Sequence, residues 1–394
     1  MADGVTDMTG SASDLLVELP EDLRLIQQTA RDFAEREVAP RALELDQTGQ
    51  FPHESMKKMA ELGFLGLLIP EEYGGSAIGN VGLSIILEEI NRACASTGVT
   101  LSVHNSLASS PIARFGTDAL KQKYLPRMAT GELLGAYAIT EPGAGSDAAA
   151  ISTTIRKESG KYIINGRKAW ITNGGEADVL IIFATLDKSL RSKGICAFVV
   201  EKDFPGFQVG KKEEKLGIKA SNCVQLVFEE MEIPEENLLG EEGKGFIVAM
   251  DTLDGGRIGI AAQAVGIARA CLDASLKYSK ERTQFDKPIS KFQAIQWKLA
   301  NMAMEMDASR LLMYRAAILR DRGQAHTLES SMAKLFASEM ANRAAREAVQ
   351  IHGGWGYCKE FHVERYYRDA KITEIYEGTS EIQRIVISRE LLNR

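Results

Sequence analysis

The stretch Lys161–Thr172, "KYIINGRKAWIT", breaks the texture of everything before it. β-Branched and aromatic residues crowd into a short run, a composition that fits a pleated strand better than a helix. Companion runs follow at Val179–Leu186 ("VLIIFATL") and Ile195–Glu201 ("ICAFVVE"), separated by turn residues. Within the first run, Asn165-Gly166 predicts a two-residue type I′ hairpin. Together these runs predict an antiparallel β domain over residues 134–240.

Outward from that block the period changes to helical. Toward the N-terminus, "EDLRLIQQTARDFAEREVAPRALELD" (Glu21–Asp46) repeats its apolar positions at helical spacing, and similar segments continue to about Ala129 with glycines at their ends. Residues 1–133 read as an all-helical domain. Toward the C-terminus, long segments are expected at Phe246–Arg282, Lys291–Arg322, Thr327–Ile351 and from Ser380 onward. Long amphipathic helices with short connections make residues 241–394 a four-helix bundle. The order is helices, sheet, helices: an α+β chain with no repeat, low-complexity tract or flexible linker.

The totals agree. A chain of 394 residues exceeds one ordinary core, since domains commonly hold roughly 100 to 200 residues. Hydrophobic residues make up 45% and charged residues 26%, a globular composition. The net charge of −7, with Lys and Arg scattered among acids, argues against a nucleic-acid partner. Cys94, Cys196, Cys223, Cys271 and Cys358 lack CxxC spacing and read as reduced thiols. The five histidines form no HxxxH array, so structural or solvent-facing roles are expected and no metal site. The opening "MADGVTDMTGSASDLLVELP" carries no Lys or Arg, unlike a signal or transit peptide. No apolar run approaches the roughly 20 residues that cross a bilayer, so no membrane insertion is expected.

Certain short stretches have the residue types for chemistry. In Pro142–Ala148, "PGAGSDA", the GxGxxA spacing imitates a dinucleotide loop, but strand-like residues follow where that loop needs a helix. It reads either as a plain turn or as a tight loop that brings amides and the Thr140 and Ser146 hydroxyls to a ligand. Ser380 and Gln383 match a capping box, so a helix should begin just after Glu377. Glu377 precedes Gly378 and follows Ile375 and Tyr376, which could desolvate it and make it a proton acceptor near neutrality. Taken alone, a loop glutamate is as a rule simply solvated. Gly255-Gly256 interrupts a helical pattern at about 1 kcal/mol each, which calls for a close approach of something to the backbone. Asp254 and Arg257 flank the pair at (i, i+3), the spacing of a surface salt bridge. Arg282 could grip a phosphate, and Gly353-Gly354 could turn amides to an anion.

Taken in order, "AYAITEPGAGSD" (Ala136–Asp147), "GRKAWITNG" (Gly166–Gly174), "LDGGRIGIAAQAVG" (Leu253–Gly266), "ERTQFDKPI" (Glu281–Ile289), "QIHGGWGY" (Gln350–Tyr357) and "IYEGTSEIQR" (Ile375–Arg384) resemble the motifs of the acyl-CoA dehydrogenase family, short-chain butyryl type, from about Leu23 to Leu392. The resemblance implies helical, β-barrel and helical domains and a homotetramer built as a dimer of dimers. It also implies bound FAD and α,β-dehydrogenation of a short-chain acyl-CoA to a trans-2-enoyl-CoA. Electrons would pass to electron-transfer flavoprotein. Glu377 takes the place of the catalytic base, removing the α-proton while the β-hydride passes to flavin N5. Isovaleryl and long-chain relatives carry the base immediately before the arginine matched by Arg257, where this chain has Gly256.

By the same resemblance, Trp170, Ile171 and Thr172 flank the flavin, Thr140 meets its polar edge, and Thr379, Ser380 and Glu381 touch it at the helix start. Tyr137, Ile139, Ser146 and Phe285 complete the cofactor-binding set. Arg282, Gln293, Gln350, Ile351, Gly353 and Gly354 match residues that reach FAD from a neighbouring subunit. Ser146, Asp254, Gly255, Gly256, Arg257, Tyr376 and Gly378 fall where relatives touch the acyl-CoA. Two departures stand out: Asp286 replaces the family's usual glycine, and Trp355 stands where smaller or more flexible residues are common. The alternatives are an acyl-CoA oxidase delivering electrons to oxygen, a dehydrogenase for small branched, cyclic or dicarboxylic acyl groups, and an idle scaffold. The expected location is the cytoplasm, or the mitochondrial matrix for a eukaryotic chain.

Overall fold

A computed structural model describes residues 19–393. The leader reading concerns residues 1–20, of which 1–18 lie outside the described residues, as does Arg394. Helices come first: α1 (Glu21–Phe33), α2 (Ala42–Thr48), α3 (His53–Glu61), α4 (Gly79–Ala93), α5 (Ala95–Ser102), α6 (Ser110–Phe115) and α7 (Asp118–Ala129). The first turn of α1 holds Glu21 and Asp22 and its last turn Arg31, charges that complement the helix dipole. Helix α2 stops at Gly49, whose φ of +65° closes a left-handed cap. Between α5 and α6 the chain widens into a π-helical turn, Val103–Ser109, a distortion common beside functional sites.

Strands follow: β1 (Gly135–Ala138), β2 (Thr154–Glu158), β3 (Lys161–Thr172), β4 (Val179–Thr185), β5 (Ile195–Glu201), β6 (Phe207–Lys212), β7 (Cys223–Pro234) and β8 (Leu238–Leu239). They form one sheet of order β6-β7-β3-β2-β4-β5-β8, with β1 also on β4. β4 is buried at every position. One of its faces (Leu180, Ile182) joins the core inside the sheet, and the other (Ile181, Phe183) packs into the helical core. That double burial explains its unbroken apolar run. Two expectations need correction. The first is the antiparallel sheet, which is mixed because β1 and one residue pair of β2 run parallel to β4; among the described residues β6 and β8 stand at the two ends of the strand order.

The second correction is the hairpin. Asn165-Gly166 lies inside β3, at a bulge where pairing with β7 slips between Ile164 and Gly166. The Asn165 side chain bonds the Glu230 backbone and carboxylate across that bulge. Gly166 has φ +155°, and a Cβ there would stand 2.5 Å from Thr153 Oγ1. The turn itself is Ser159-Gly160, both at positive φ (50° and 78°), joining β2 to β3. A local dipeptide signal therefore lost to a non-local strand pairing.

After the sheet come α8 (Gly245–Glu281), a small hairpin of β9 (Thr283–Gln284) and β10 (Lys287–Pro288), α9 (Gln293–Asp321), α10 (Thr327–His352), α11 (Val363–Ala370) and α12 (Ser380–Leu392). α8 packs against α4, α9 and α10, and α12 against α10. Contrary to expectation, α8 is long and apolar enough to cross a membrane, but 83% of its most apolar window is buried inside the fold. It is the central core helix. The N-terminal helices are fastened to this bundle by ions as well as by apolar contact. Asp321, at the end of α9, accepts from the backbone N–H groups of Asn80 (2.7 Å) and Val81 (3.0 Å) and so caps α4 from another domain. Buried Glu88 and Glu89 on α4 meet Arg310 of α9, Arg269 of α8 and Arg31 of α1. Removing one partner of such a cluster leaves a buried charge uncompensated.

Gly166→Ala is expected to cost about 2 kcal/mol of stability through the clash with Thr153 and the forced backbone. Ser159→Asn, a residue that favours the left-handed turn, should gain up to about 1 kcal/mol. Chemical denaturation followed by circular dichroism reads both.

Candidate active site

The loop between residues 371–374 and α12 turns by placing two consecutive residues at positive φ, Glu377 (52°) and Gly378 (90°). For a glutamate this costs on the order of 1 kcal/mol or more and needs surrounding structure to enforce it. Three side chains do so. Gln383 Nε2 donates to the carbonyls of Gly378 (2.8 Å) and Glu377 (3.2 Å). Lys334 Nζ, from α10, donates to the same Gly378 carbonyl at 2.7 Å. Thr379 caps α12 by accepting from the Ile382 N–H at 3.3 Å. The expected capping box is therefore displaced by one residue: Thr379 is the cap, and Gln383 reaches the loop carbonyls instead of closing a box with Ser380.

The Glu377 residue is half-buried, yet its Oε2 is out of solvent and has no hydrogen-bond partner. It lies against Gly256 of α8, where a Cβ would come within 2.1 Å of Oε2 and 2.8 Å of Leu107 Cδ2. This accounts for the second glycine in the helix. The first, Gly255, makes room for the Arg320 guanidinium, which a Cβ would approach to 2.7 Å. Burial pushes the Glu377 carboxyl up to about 7, against the pull of Lys334 and Arg257. Lys334 is pushed by burial down to about 8, against the field of Glu377. Of the two neighbours expected to dry the carboxylate, Tyr376 does face inward and donates to Gln263 Oε1. Ile375 is instead 49% exposed, and α8 and Leu107 take its place.

Asp254 and Arg257 are not a surface pair. Both are buried, Arg257 Nη1 donates to Asp254 Oδ1 and Ser331 Oγ, and Thr327 donates to Asp254 Oδ2. Tyr137, also buried, donates to the Ala249 carbonyl, and its hydroxyl is pushed well up by burial and by Glu377.

The sheet contributes a second group. β3 pairing slips again between Lys168 and Ile171, and the bulge turns Trp170 outward at φ +61° and 60% exposed. The Ala169 N–H donates to the Thr140 carbonyl at 2.9 Å, which brings Thr140 beside Trp170–Thr172. Beneath them Lys168, fully buried, donates to the Ile139 carbonyl and to Glu141. The glycine-rich segment 143–147 is a loop with only a three-residue helical turn after it, so it is no dinucleotide fingerprint. Ser146 on it is exposed.

A third group lines a cleft of ≈ 580 Å³ that includes Arg282, Ile351, Gly353, Gly354 and Trp355. Gln293 and Gln350 are exposed and lie outside its lining. Beside it the β9–β10 turn holds Phe285 and Asp286 at φ +50° and +61°, with Phe285 86% exposed. Aspartate tolerates this left-handed position better than most residues, so the departure at 286 keeps the turn. Lys334 and Gln263 escaped sequence reasoning. The available signal was the spacing of Ser330, Lys334 and Ser338, which places a lysine on the small-residue face of α10, where all three are buried.

Comparison with known proteins agrees along nearly all of the chain. Residues 20–132, 136–231 and 243–392 match the family descriptions "Acyl-CoA dehydrogenase, N-terminal domain", "middle domain" and "C-terminal domain". The mouse (Mus musculus) mitochondrial short-chain specific acyl-CoA dehydrogenase is 54% identical over 95% of this chain and 91% of its own length. The structure of butyryl-CoA dehydrogenase from Megasphaera elsdenii superposes with a TM-score of 0.94 at 46% identity, over 95% of this chain and 99% of that one. A chain solved under the description "Electron transferring flavoprotein of Acidaminococcus fermentans: Towards a mechanism of flavin-based electron bifurcation" also gives 0.94, at 49% identity, covering 96% of this chain and 100% of that one.

Because Glu377 holds its proton more tightly folded than unfolded, its contribution to stability is present below pH 4.5 and is lost as pH rises from there to about 7. Glu377→Gln should therefore raise the thermal midpoint over the parent, and by more at about pH 8 than at about pH 5. Paired melting curves at the two pH values test this.

Proposed function

The chain belongs to the acyl-CoA dehydrogenase family, and from that premise we propose that it removes the α-proton and β-hydride of a short-chain acyl-CoA to give the trans-2-enoyl-CoA. The observation that carries the assignment of the base is the unpartnered Glu377 carboxylate lying against Gly256. Relatives that carry the base one residue before the arginine would need a side chain at 256. Here a Cβ at that position would require the Glu377 carboxylate and the Leu107 side chain to move, so the bare backbone at 256 fits a carboxylate at 377, and the duty is assigned to Glu377.

Physical chemistry supports the role. An acid near 7 is a better proton acceptor at neutral pH than a solvated glutamate and still ionises there. Its unmet Oε2 awaits a partner, which the α-hydrogen of a thioester seated over Gly256 would supply. The Glu377 backbone N–H, held by the strained turn, is proposed to bind the thioester oxygen and stabilise charge as the proton leaves. The buried Asp254–Arg257–Ser331 group and Tyr376 would shape the acyl end, with Leu107 closing it beside Gly256.

The residues present fit FAD. Trp170 is exposed with the half-buried Thr172 and Thr140 beside it, and Ser380 Oγ at the start of α12 is buried with no partner. At Gly353 and Gly354 a Cβ would meet nothing within 4 Å, which leaves open backbone beside Arg282 for phosphates. Ile139, Ile171, Phe285, Thr379 and Glu381 are proposed to complete that site. Gln293, Gln350 and Ile351 are assigned with Arg282 to the half reached from a neighbouring subunit. Bound FAD supplies the acceptor for the β-hydride, and electrons pass on to electron-transfer flavoprotein. The proposal includes domains at 1–133, 134–240 and 241–394, a homotetramer, and a cytoplasmic or matrix location.

In an anaerobic titration with a panel of acyl-CoAs, flavin bleaching should be fullest for short chains. Glu377→Gln should keep FAD and ligand binding while bleaching more than roughly a hundredfold slower. Near-parental bleaching would reject Glu377 as the base, and rapid peroxide formation in air would favour an oxidase.

A further inference from the structure

We propose that Lys334 is a positioning residue for this reaction, holding the Gly378 carbonyl and fixing a positive charge behind Glu377 so that the carboxylate stays ionised in a dry site. The inference rests on reading Glu377 as the base. Lys334 is fully buried on α10, and its Nζ donates to the Gly378 carbonyl at 2.7 Å. Among the described residues it makes no ion pair. Burying an ammonium without a carboxylate is costly and rare, so a compensating role is expected.

Hydrogen bonding alone does not explain a lysine. The same carbonyl already accepts from the neutral amide of Gln383 at 2.8 Å, so the turn has a donor without Lys334. What the lysine adds is charge. The groups facing it and Glu377 come from every packed element: Arg257 from α8, Glu374 before the loop, Glu381 from the first turn of α12, Tyr137 from β1, and Tyr376. Arg257 is balanced at close range by Asp254. Lys334 is the cation near Glu377 whose field is not spent on its own ion pair. A nearby positive charge favours the ionised acid. Without it, burial acts unopposed and the acid must titrate higher.

The test uses the FAD-loaded protein with butyryl-CoA as probe. Lys334→Gln keeps a donor and removes the charge, Lys334→Met removes both, Lys334→Arg keeps the charge, and Gln383→Leu removes the neutral donor alone. Retained FAD absorbance gauges folding. In Lys334→Gln and Lys334→Met the acid limb of kcat should move up by roughly one to two pH units. KM should change little, and kcat at neutral pH should fall about tenfold or more. A pH-difference infrared titration of the Glu377 carboxyl, assigned by its loss in Glu377→Gln, should show the same shift without turnover. Lys334→Arg should keep the parental profile, and Gln383→Leu should lower kcat without moving the limb.

An unshifted Glu377 titration in Lys334→Gln overturns the proposal. If neither neutral variant folds, Lys334→Arg decides, and a limb displaced by a full unit there overturns it equally. Activity surviving in Glu377→Gln would instead defeat the reading of the site on which the inference rests.

Discussion

A carboxylate held out of water with one oxygen unpartnered is the constraint around which this fold is arranged. In bulk solvent Glu377 would be an ordinary acid, too weak a base for a carbon-bound proton. Pressed against the bare backbone at Gly256, beside Leu107, it loses solvation and holds its proton up to about pH 7. That position demands a strained turn at Glu377-Gly378, which in turn demands donors behind it. α10 supplies Lys334 and α12 supplies Gln383. Four separate segments thus converge on one turn and the side chain it carries.

Such convergence requires rigid packing between parts of the chain that are far apart in sequence. α8 provides the axis, buried along most of its length and glycine-bearing where the site approaches it. The N-terminal helices lock to it through the Asp321 cap on α4 and through the buried Glu88 and Glu89 with their arginines. These ionic contacts specify geometry more than they add stability, because desolvation offsets much of their attraction. The sheet is held at the same centre through the far face of β4, so Trp170 and Thr172 keep a fixed relation to the helices.

Much of this was legible beforehand. The change of period at Lys161–Thr172 and the return of long apolar repeats after residue 241 reveal helix, sheet and helix because local spacing reports which face is buried. Gly255-Gly256 announced a close approach, and the motif around Tyr376–Thr379 pointed to Glu377 as the proposed base. Other readings failed for a common reason. Asn165-Gly166 signals a turn in isolation, but β7 pairs across it. Asp254 and Arg257 are spaced as helix neighbours, and spacing does not say whether their side of α8 meets water or another helix.

The sequence by itself determined the order of the elements and the family motifs and singled out Glu377 as the candidate base, since these are written in local pattern and residue type. Only the tertiary structure decided that Gly256 vacates the space Glu377 occupies, that Thr379 and not Ser380 caps α12, and that a lysine from α10 stands behind the loop. Each of these depends on distances between residues remote along the chain, set by how whole helices pack, and no window of neighbouring residues contains that information.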